Sequence, residues 1–261
     1  MGTAAHPGRR RIWHGENGCM KIALLSDIHA NLEAFEAVMR RIGEANVDRV
    51  VSLGDVVGYG PDPDACVDRI GTIADIRLCG NHDQAALAET DPADFNEDAR
   101  NAILWTRRVI AGQTAEKLKS YAMLCVEEAW MAVHATPEAP ARWEYLMTGA
   151  DIRRNLEIIP APVCFVGHSH YPGIFERTKT GEILEHRTTE IRLAEGSRYL
   201  INVGSVGQPR DGDPRSAFGL LDTDAGVFRL LRTEYPILPV QQRMAAAGLP
   251  PNLIDRLAMG F

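Results

Sequence analysis

The chain has 261 residues, 45% of them hydrophobic and 24% charged, and a net charge of −7. That is an ordinary globular balance for one large domain or two small ones. It argues against a broad nucleic-acid-binding face, which needs a basic stripe, and no apolar run approaches the ~18–20 residues of a membrane span. Anionic substrates stay open, because bound metal ions reverse the local sign of charge. The five cysteines are odd in number and form no CxxC pair, and Cys79 and Cys164 lie in apolar runs. Reduced, buried thiols in a cytoplasmic protein are expected.

Residues 1–19 carry an Arg triplet, Gly and Pro, with no apolar core of a secretory signal. They read as an extension without stable structure, and MKIALLSD from Met20 reads as the start of the single domain, 20–261. KIALLS is a short buried strand ending at Asp27. Asn31 then precedes apolar residues at helical spacing (Leu32, Phe35, Val38, Met39, Ile42), which predicts an N-capped amphipathic helix. DRVVSLGD is a second strand, a helix is expected around 63–70, and a third strand over 73–79. This βαβαβ order predicts a largely parallel sheet covered by helices.

The stretch Gly80-Asn81-His82-Asp83 ends that strand, and Gly80 is expected to permit a sharp turn. Asp83 either orients a neighbour or caps the next helix, and the cap is the expected role. Residues 94–120 show two helical patterns with no strand between them, a helical insertion. LCVEEAWMAVHA gives two strands turning at Glu127-Glu128, GADIRRNLEIIP a helix stopped by Pro160, and VCFVGHSH a strand ending in His. Beyond 172 the period shifts toward two, with hairpins turning at Thr180-Gly181 and near Asp224-Ala225-Gly226. The second half therefore reads as a more antiparallel sheet. The expected architecture is α/β: a four-layer α/β/β/α sandwich of two mixed sheets, flanking helices and a small helical insertion.

Chemistry-bearing residues collect at strand ends: Asp27 and His29 in SDIHAN, Asp55 in GD, Asn81 and His82 in GNHD, His134 in AVHAT, His168 and His170 in GHSH. Alone, each is ordinary; a His after a strand is usually structural, and GD is usually a turn. In open α/β sheets, however, ligands bind beyond the carboxyl ends of the strands, and here five strands deliver such groups in one order. Carboxylates, imidazoles and an amide, with no thiolate, suit borderline divalent ions such as Mn, Fe, Zn, Ni or Co. Seven ligands exceed the needs of one ion and fit two ions ~3.5–4 Å apart.

The ordered set D-x-H, GD, GNH, H, GHxH resembles the calcineurin-like metallophosphoesterase superfamily, over nearly the whole chain from Met20. By that resemblance Asp27, His29 and His170 hold one metal, Asn81, His134 and His168 the other, and Asp55 bridges them. His82 is then no ligand; it faces the substrate and assists the leaving group or stabilises the transition state. The resemblance implies a small-molecule phosphate ester as substrate and in-line attack by a metal-bound hydroxide. A positioned His supplies only ~10²–10⁴-fold, roughly 3–5 kcal/mol, whereas phosphate-ester hydrolysis needs on the order of 20 kcal/mol.

Serine/threonine phosphatases and symmetrically cleaving diadenosine tetraphosphatases usually read GDxVDRG at the second block, and here Gly58 and Tyr59 stand in place of Asp and Arg. GDVVGYGPDP and NVGSVGQPRDGDP look like the small, mostly bacterial phosphodiesterase-like branch. In the second of these, Ser205 and Arg210 are candidate substrate-binding residues, against the plain reading of a Gly/Pro turn. Ala135 replaces the usual Gly after the fourth-block His. The aromatics of WEYL (143–146) are expected in the core rather than beside a nucleotide base. The leading expectation is a phosphodiesterase for phosphodiesters or nucleotide-derived phosphates. Asymmetric diadenosine tetraphosphate hydrolysis, phosphomonoester hydrolysis, and a scaffold role like that of a retromer subunit of similar fold are the alternatives. Oligomeric state is left open.

Overall fold

The computed structural model describes residues 20–261, so the extension expected at 1–19 lies outside the described residues. Strand β1 (Lys21–Leu25) shows how the layers arise. Ile22 and Leu24 pack between two sheets, while Ala23 and Leu25 pack against an outer helical layer. Alternate side chains of a strand point to opposite faces, so a strand covered on both faces reads as one continuous apolar run. On the far side of the molecule β6 (Val163–Val166) does the same, with Val163 and Phe165 between the sheets and Cys164 and Val166 against α6 (Gly149–Ile158).

In the first sheet, β1 runs parallel to β2 (Arg49–Ser52), and β2 to β3 (Ile76–Arg77). Antiparallel to β1 lies β11 (Ser216–Asp222), followed by β12 (Val227–Thr233) and β9 (Glu190–Arg192). The second sheet places β5 (Trp130–Val133), β6 and β10 (Arg198–Asn202) parallel, flanked by β4 (Leu124–Val126), β7 (Gly173–Arg177) and β8 (Ile183–His186). Helices α1 (Leu32–Ala45), α2 (Pro63–Ile73), α7 (Ile237–Ala246) and α8 (Pro251–Met259) cover the first sheet. The four-layer α/β/β/α order is as expected.

The division of strands differs from the expectation of one sheet per half. The C-terminal hairpin β11–β12 pairs with β1, and β9 was not anticipated, so the first sheet is closed by the end of the chain. The third strand is also shorter than 73–79, because α2 continues to Ile73 and only an isolated bridge, Leu78 to Ala122, extends β3. Residues 94–120 hold α4 (Glu97–Val109) and α5 (Gly112–Lys119), and α5 is fastened to α2 where the Thr114 hydroxyl donates to Asp64 at 2.5 Å. Pro160 ends α6 as expected, the helix stopping at Ile158.

Asn31 caps α1: its Oδ1 accepts from the Ala34 N–H at 3.1 Å, while its Nδ2 donates to the Gly207 carbonyl at 2.8 Å. One buried amide thus ties the first strand–helix turn to the loop after β10. Asn31→Ala removes a cap worth about 1 kcal/mol and strands a buried carbonyl at about 1–3 kcal/mol. Denaturant titration should therefore show a loss of about 2–4 kcal/mol with an unchanged m-value.

Candidate functional site

Each parallel trio points its carboxyl ends to the same edge of the molecule, and the two edges meet. The loop after β1 is zipped to the loop after β2: the Asp27 N–H donates to Gly54 O at 3.0 Å, His29 N–H to Asp55 O at 2.9 Å and Ala30 N–H to Val56 O at 2.8 Å. The second sheet is tied in by the His168 N–H, which donates to Asp27 Oδ2 at 3.0 Å. Asp27, His29, Asp55, Asn81, His82, His134, His168 and His170 are all buried in this one place. The backbone there is strained. Asp27, His29, Asp55, His168 and His170 all have φ between 49° and 66°, a left-handed region that non-glycine residues enter at a cost and chiefly at functional sites.

Three groupings bring ligand atoms within 4.8 Å of one another: Asp27, His29 and His170; Asp55, His134 and His168; and His29, Asp55 and His82. His29 and Asp55 each occur in two of the groupings, and the third joins both of them to His82. Imidazole orientation is set from behind. His29 Nδ1 lies 3.1 Å from Val57 O, His134 Nδ1 3.0 Å from Leu53 O, and His170 Nδ1 2.6 Å from Gln208 O. A carbonyl only accepts, so each Nδ1 carries a proton, and whenever the ring is neutral its Nε2 turns a lone pair inward. His168 is reversed: Nε2 donates to Trp143 O at 2.9 Å, which leaves Nδ1 for the site.

Inside the cage the acceptors crowd. His29 Nε2 is 3.0 Å from His170 Nε2, His170 Nε2 is 3.2 Å from Asp27 Oδ1, and His134 Nε2 is 3.4 Å from Asp55 Oδ2. Asp27 Oδ1, Asn81 Oδ1, His82 Nδ1 and His134 Nε2 are buried without a hydrogen-bond partner. Lone pairs at such separations repel unless positive charge lies among them, so the residues present fit divalent cations. Titration agrees. Burial, with His134 beside it, holds His168 down at about 4, and burial with Arg210 holds His170 down at about 3. Burial also pushes His82 well below the usual imidazole range. Burial opposes ionisation of Asp27 and Asp55, but the surrounding imidazoles overcome it and hold both carboxyls low. Burial likewise opposes protonation of His134, yet Asp55 and Asp27 hold it up at about 9.

Two expectations are extended and one, the last, is corrected. Gly80 has φ −107°, so it makes no left-handed turn; a Cβ there would overlap the Asp55 carboxylate, and that close approach is why the position is Gly. Asp83 does more than cap. Its Oδ2 accepts from the Gly80 N–H at 3.0 Å, which is the helix cap, and from the Asp55 N–H at 2.8 Å, while Oδ1 accepts from Val56 and Val57 at 3.0 and 3.2 Å. It is the buried post around which the Asp55 loop folds. Burial and the nearby Asp55 push its carboxyl up to about 7. The WEYL aromatics are not core: Tyr145 is 48% exposed and stacks on the His168 ring at 4.1 Å, and Trp143 lines the same cavity of about 370 Å³ with Tyr145, Phe95, Asn81 and His82.

Ser205 and Arg210 part company. The Ser205 hydroxyl is fully buried, donates to Asp27 O at 2.8 Å and accepts from the Gln208 N–H at 2.9 Å, so it supports the Asp27 loop from beneath. Arg210 reaches the rim, its guanidinium carbon 5.5 Å from the Tyr59 ring centroid. Ala135 is buried with no positive φ, so its Cβ costs no backbone strain. Sequence reasoning missed Tyr59 as a site residue; its ring lies 4.5 Å from His29 and 4.4 Å from His82. Its place directly after the Asp55 block was the available signal.

Residues 20–226 match the calcineurin-like phosphoesterase superfamily domain, and the chain belongs to that superfamily. It is a metal-dependent phosphoesterase, with relatives in the phosphodiesterase-like branch. Uncharacterized protein MJ0912 of Methanocaldococcus jannaschii is 36% identical over 92% of this chain and 98% of its own length. Phosphodiesterase YfcE of Escherichia coli is 25% identical over 78% of this chain and 89% of its own. A metallophosphoesterase from Sphaerobacter thermophilus superposes with a TM-score of 0.84 at 37% identity, covering 94% of this chain and 100% of that one.

Asp83 touches no candidate ligand atom of the cage except through backbone N–H groups and the Asp55 loop. Asp83→Asn turns an NH₂ toward those N–H donors, and divalent-metal affinity should fall about 10–100-fold. Competition with a fluorescent chelator measures it.

Proposed function

We propose that the protein is a dinuclear metal-dependent phosphodiesterase acting on phosphodiesters or nucleotide-derived phosphates. One observation carries the reading: His29 and His170, each with Nδ1 committed to a backbone carbonyl, face each other through Nε2 at 3.0 Å. That geometry asks for a cation, and at His134 and Asp55 a cation would take the place of the ring's second proton. Asp27, His29 and His170 would hold one ion, Asn81, His134 and His168 a second, and Asp55 would bridge them. The N/O donor set suits manganese, iron, zinc, nickel or cobalt.

Two divalent ions supply charge stabilisation for phosphoryl oxygens and an activated water at neutral pH. The protein's own residues do the rest. His82 is a neutral imidazole whose backbone N–H is anchored to Asp55 Oδ1 at 2.8 Å and whose ring packs on Tyr59 and Phe95. So held, it can donate one N–H to a phosphoryl oxygen or to the departing oxygen. The cavity of about 370 Å³ beside it has room for a second ester substituent against Phe95, Trp143 and Tyr145. That room, and likeness to a relative named a phosphodiesterase, support diesters over monoesters. Free Cys66, Cys79, Cys125 and Cys164 support a reducing, cytoplasmic compartment; among the described residues no helix is long and apolar enough to cross a membrane.

Elemental analysis with turnover of bis-aryl phosphate, aryl phosphate and diadenosine tetraphosphate under each metal tests the reading. About two ions per chain and preference for the bis-aryl ester are expected. Metal-free protein with no rate above background would leave the scaffold role instead. Asp55→Asn should lower metal content and activity together. His82→Ala should keep its metal and lose ~10²–10⁴-fold in rate; a His82 variant stripped of metal would reassign that residue to the cage.

A further inference from the structure

Two half-buried arginines beside the site lack the carboxylate partner that three others have. Arg243 is held by Glu33 and by Asp62, Arg232 by Asp211 and Arg215 by Asp213. Arg210 and Arg256 make no ion pair among the described residues. Both instead converge on one neutral acceptor, Gln208 Oε1, at 2.9 Å from Arg210 Nη2 and 3.4 Å from Arg256 Nη1. Arg210 Nη2 also donates to the Tyr59 hydroxyl at 3.2 Å, and Arg256 Nε is buried with no partner. Burial and the neighbouring Arg210 pull Arg256 below the usual guanidinium range, a sign of like charges pressed together. Half-buried paired cations with a shared amide and spare donors are a poor arrangement for stability and a good one for an anion.

The position says which anion. Gln208 is the residue whose carbonyl accepts from His170 Nδ1, so the pair stands one residue behind the cage. The Tyr59 ring lies between: it packs on His29 and His82 on one side and carries the Arg210 guanidinium over its face. A phosphoryl group among the cage residues is therefore one aromatic ring away from these guanidiniums. Arg256 comes from α8, beyond residue 226 where the superfamily domain match ends, so the second guanidinium is delivered by the C-terminal helix rather than by the matched domain.

We propose that Arg210 and Arg256 form a second anion subsite that holds a phosphate one or two anhydride links from the scissile phosphorus. The preferred substrates are then organic compounds with two or more linked phosphates, a conclusion that rests on the phosphohydrolase reading above for its reaction but not for its binding.

Calorimetric titration of the manganese-loaded protein with AMP and with α,β-methylene-ADP, alongside turnover of bis-aryl phosphate, tests this. The diphosphate analogue should bind at least about tenfold more tightly than AMP, as one added charge-assisted contact provides. Arg256→Gln and Arg210→Gln should each reduce that advantage to under about threefold, with metal content and thermal melting retained, and Arg256→Lys should restore part of it. Equal binding of the two nucleotides by the wild-type protein, or an advantage that survives both Gln variants, overturns the subsite. A diphosphate preference lost in the Gln variants but without turnover keeps the subsite and removes the proposed activity. Turnover without the preference does the reverse.

Discussion

Backbone carbonyls behind the cage determine what the site can be. Val57, Leu53 and Gln208 each take the Nδ1 proton of one histidine, and Trp143 takes the Nε2 proton of another. With those protons committed outward, a neutral imidazole has only a lone pair to present inward, and His134, held up at about 9 by Asp55 and Asp27, carries a second proton that a cation would displace. No side-chain rearrangement short of breaking these bonds converts the cage into a self-satisfied hydrogen-bond network. The demand for positive charge is thus built into the main chain, and the main chain is held by the two sheets.

That arrangement explains where strain is tolerated. Left-handed residues outside glycine gather in the loops of Asp27, Asp55 and His168, and the loops brace one another through Asp27 Oδ2, the Asp83 carboxylate and the Ser205 hydroxyl. Buried charge-assisted bonds to backbone N–H groups offset the conformational cost. Asp83 is the clearest case: one carboxylate accepts from four backbone N–H groups, and so fixes the loop that presents Asp55. Glycines serve the same close quarters. At Gly80 and Gly167 a Cβ would collide with Asp55 or with Ser26 and Asp27.

Around this rigid centre the rim varies in character. On one side Phe95, just before α4, and the 143–145 segment bring aromatic rings to a cavity of about 370 Å³. On the other, behind Tyr59, Arg210 and Arg256 of the C-terminal helix bring positive charge. The cage suits phosphoryl chemistry in general, whereas these two walls are where selection among esters would arise. They come from segments far apart in the chain, and Arg256 lies past residue 226, where the superfamily domain match ends.

Much was legible beforehand because period and position carry it. Doubly buried strands read as unbroken apolar runs, Asn31 announced its helix, and polar residues stationed at five strand ends had no packing reason to be there. Those local signals determined the α/β class, the four layers and the identity of the residues in the cage. Pairing was not legible. That β11 and β12 close the first sheet depends on partners nearly 200 residues apart, and no local pattern records a distant neighbour. Nor does a residue's letter say what its side chain faces: Asp83 looked like a cap, Ser205 like a substrate contact, and Trp143 and Tyr145 like core. Sequence alone chose the chemical groups. Only the tertiary fold chose their orientation, because which ring nitrogen points inward is set by carbonyls brought from elsewhere in the chain.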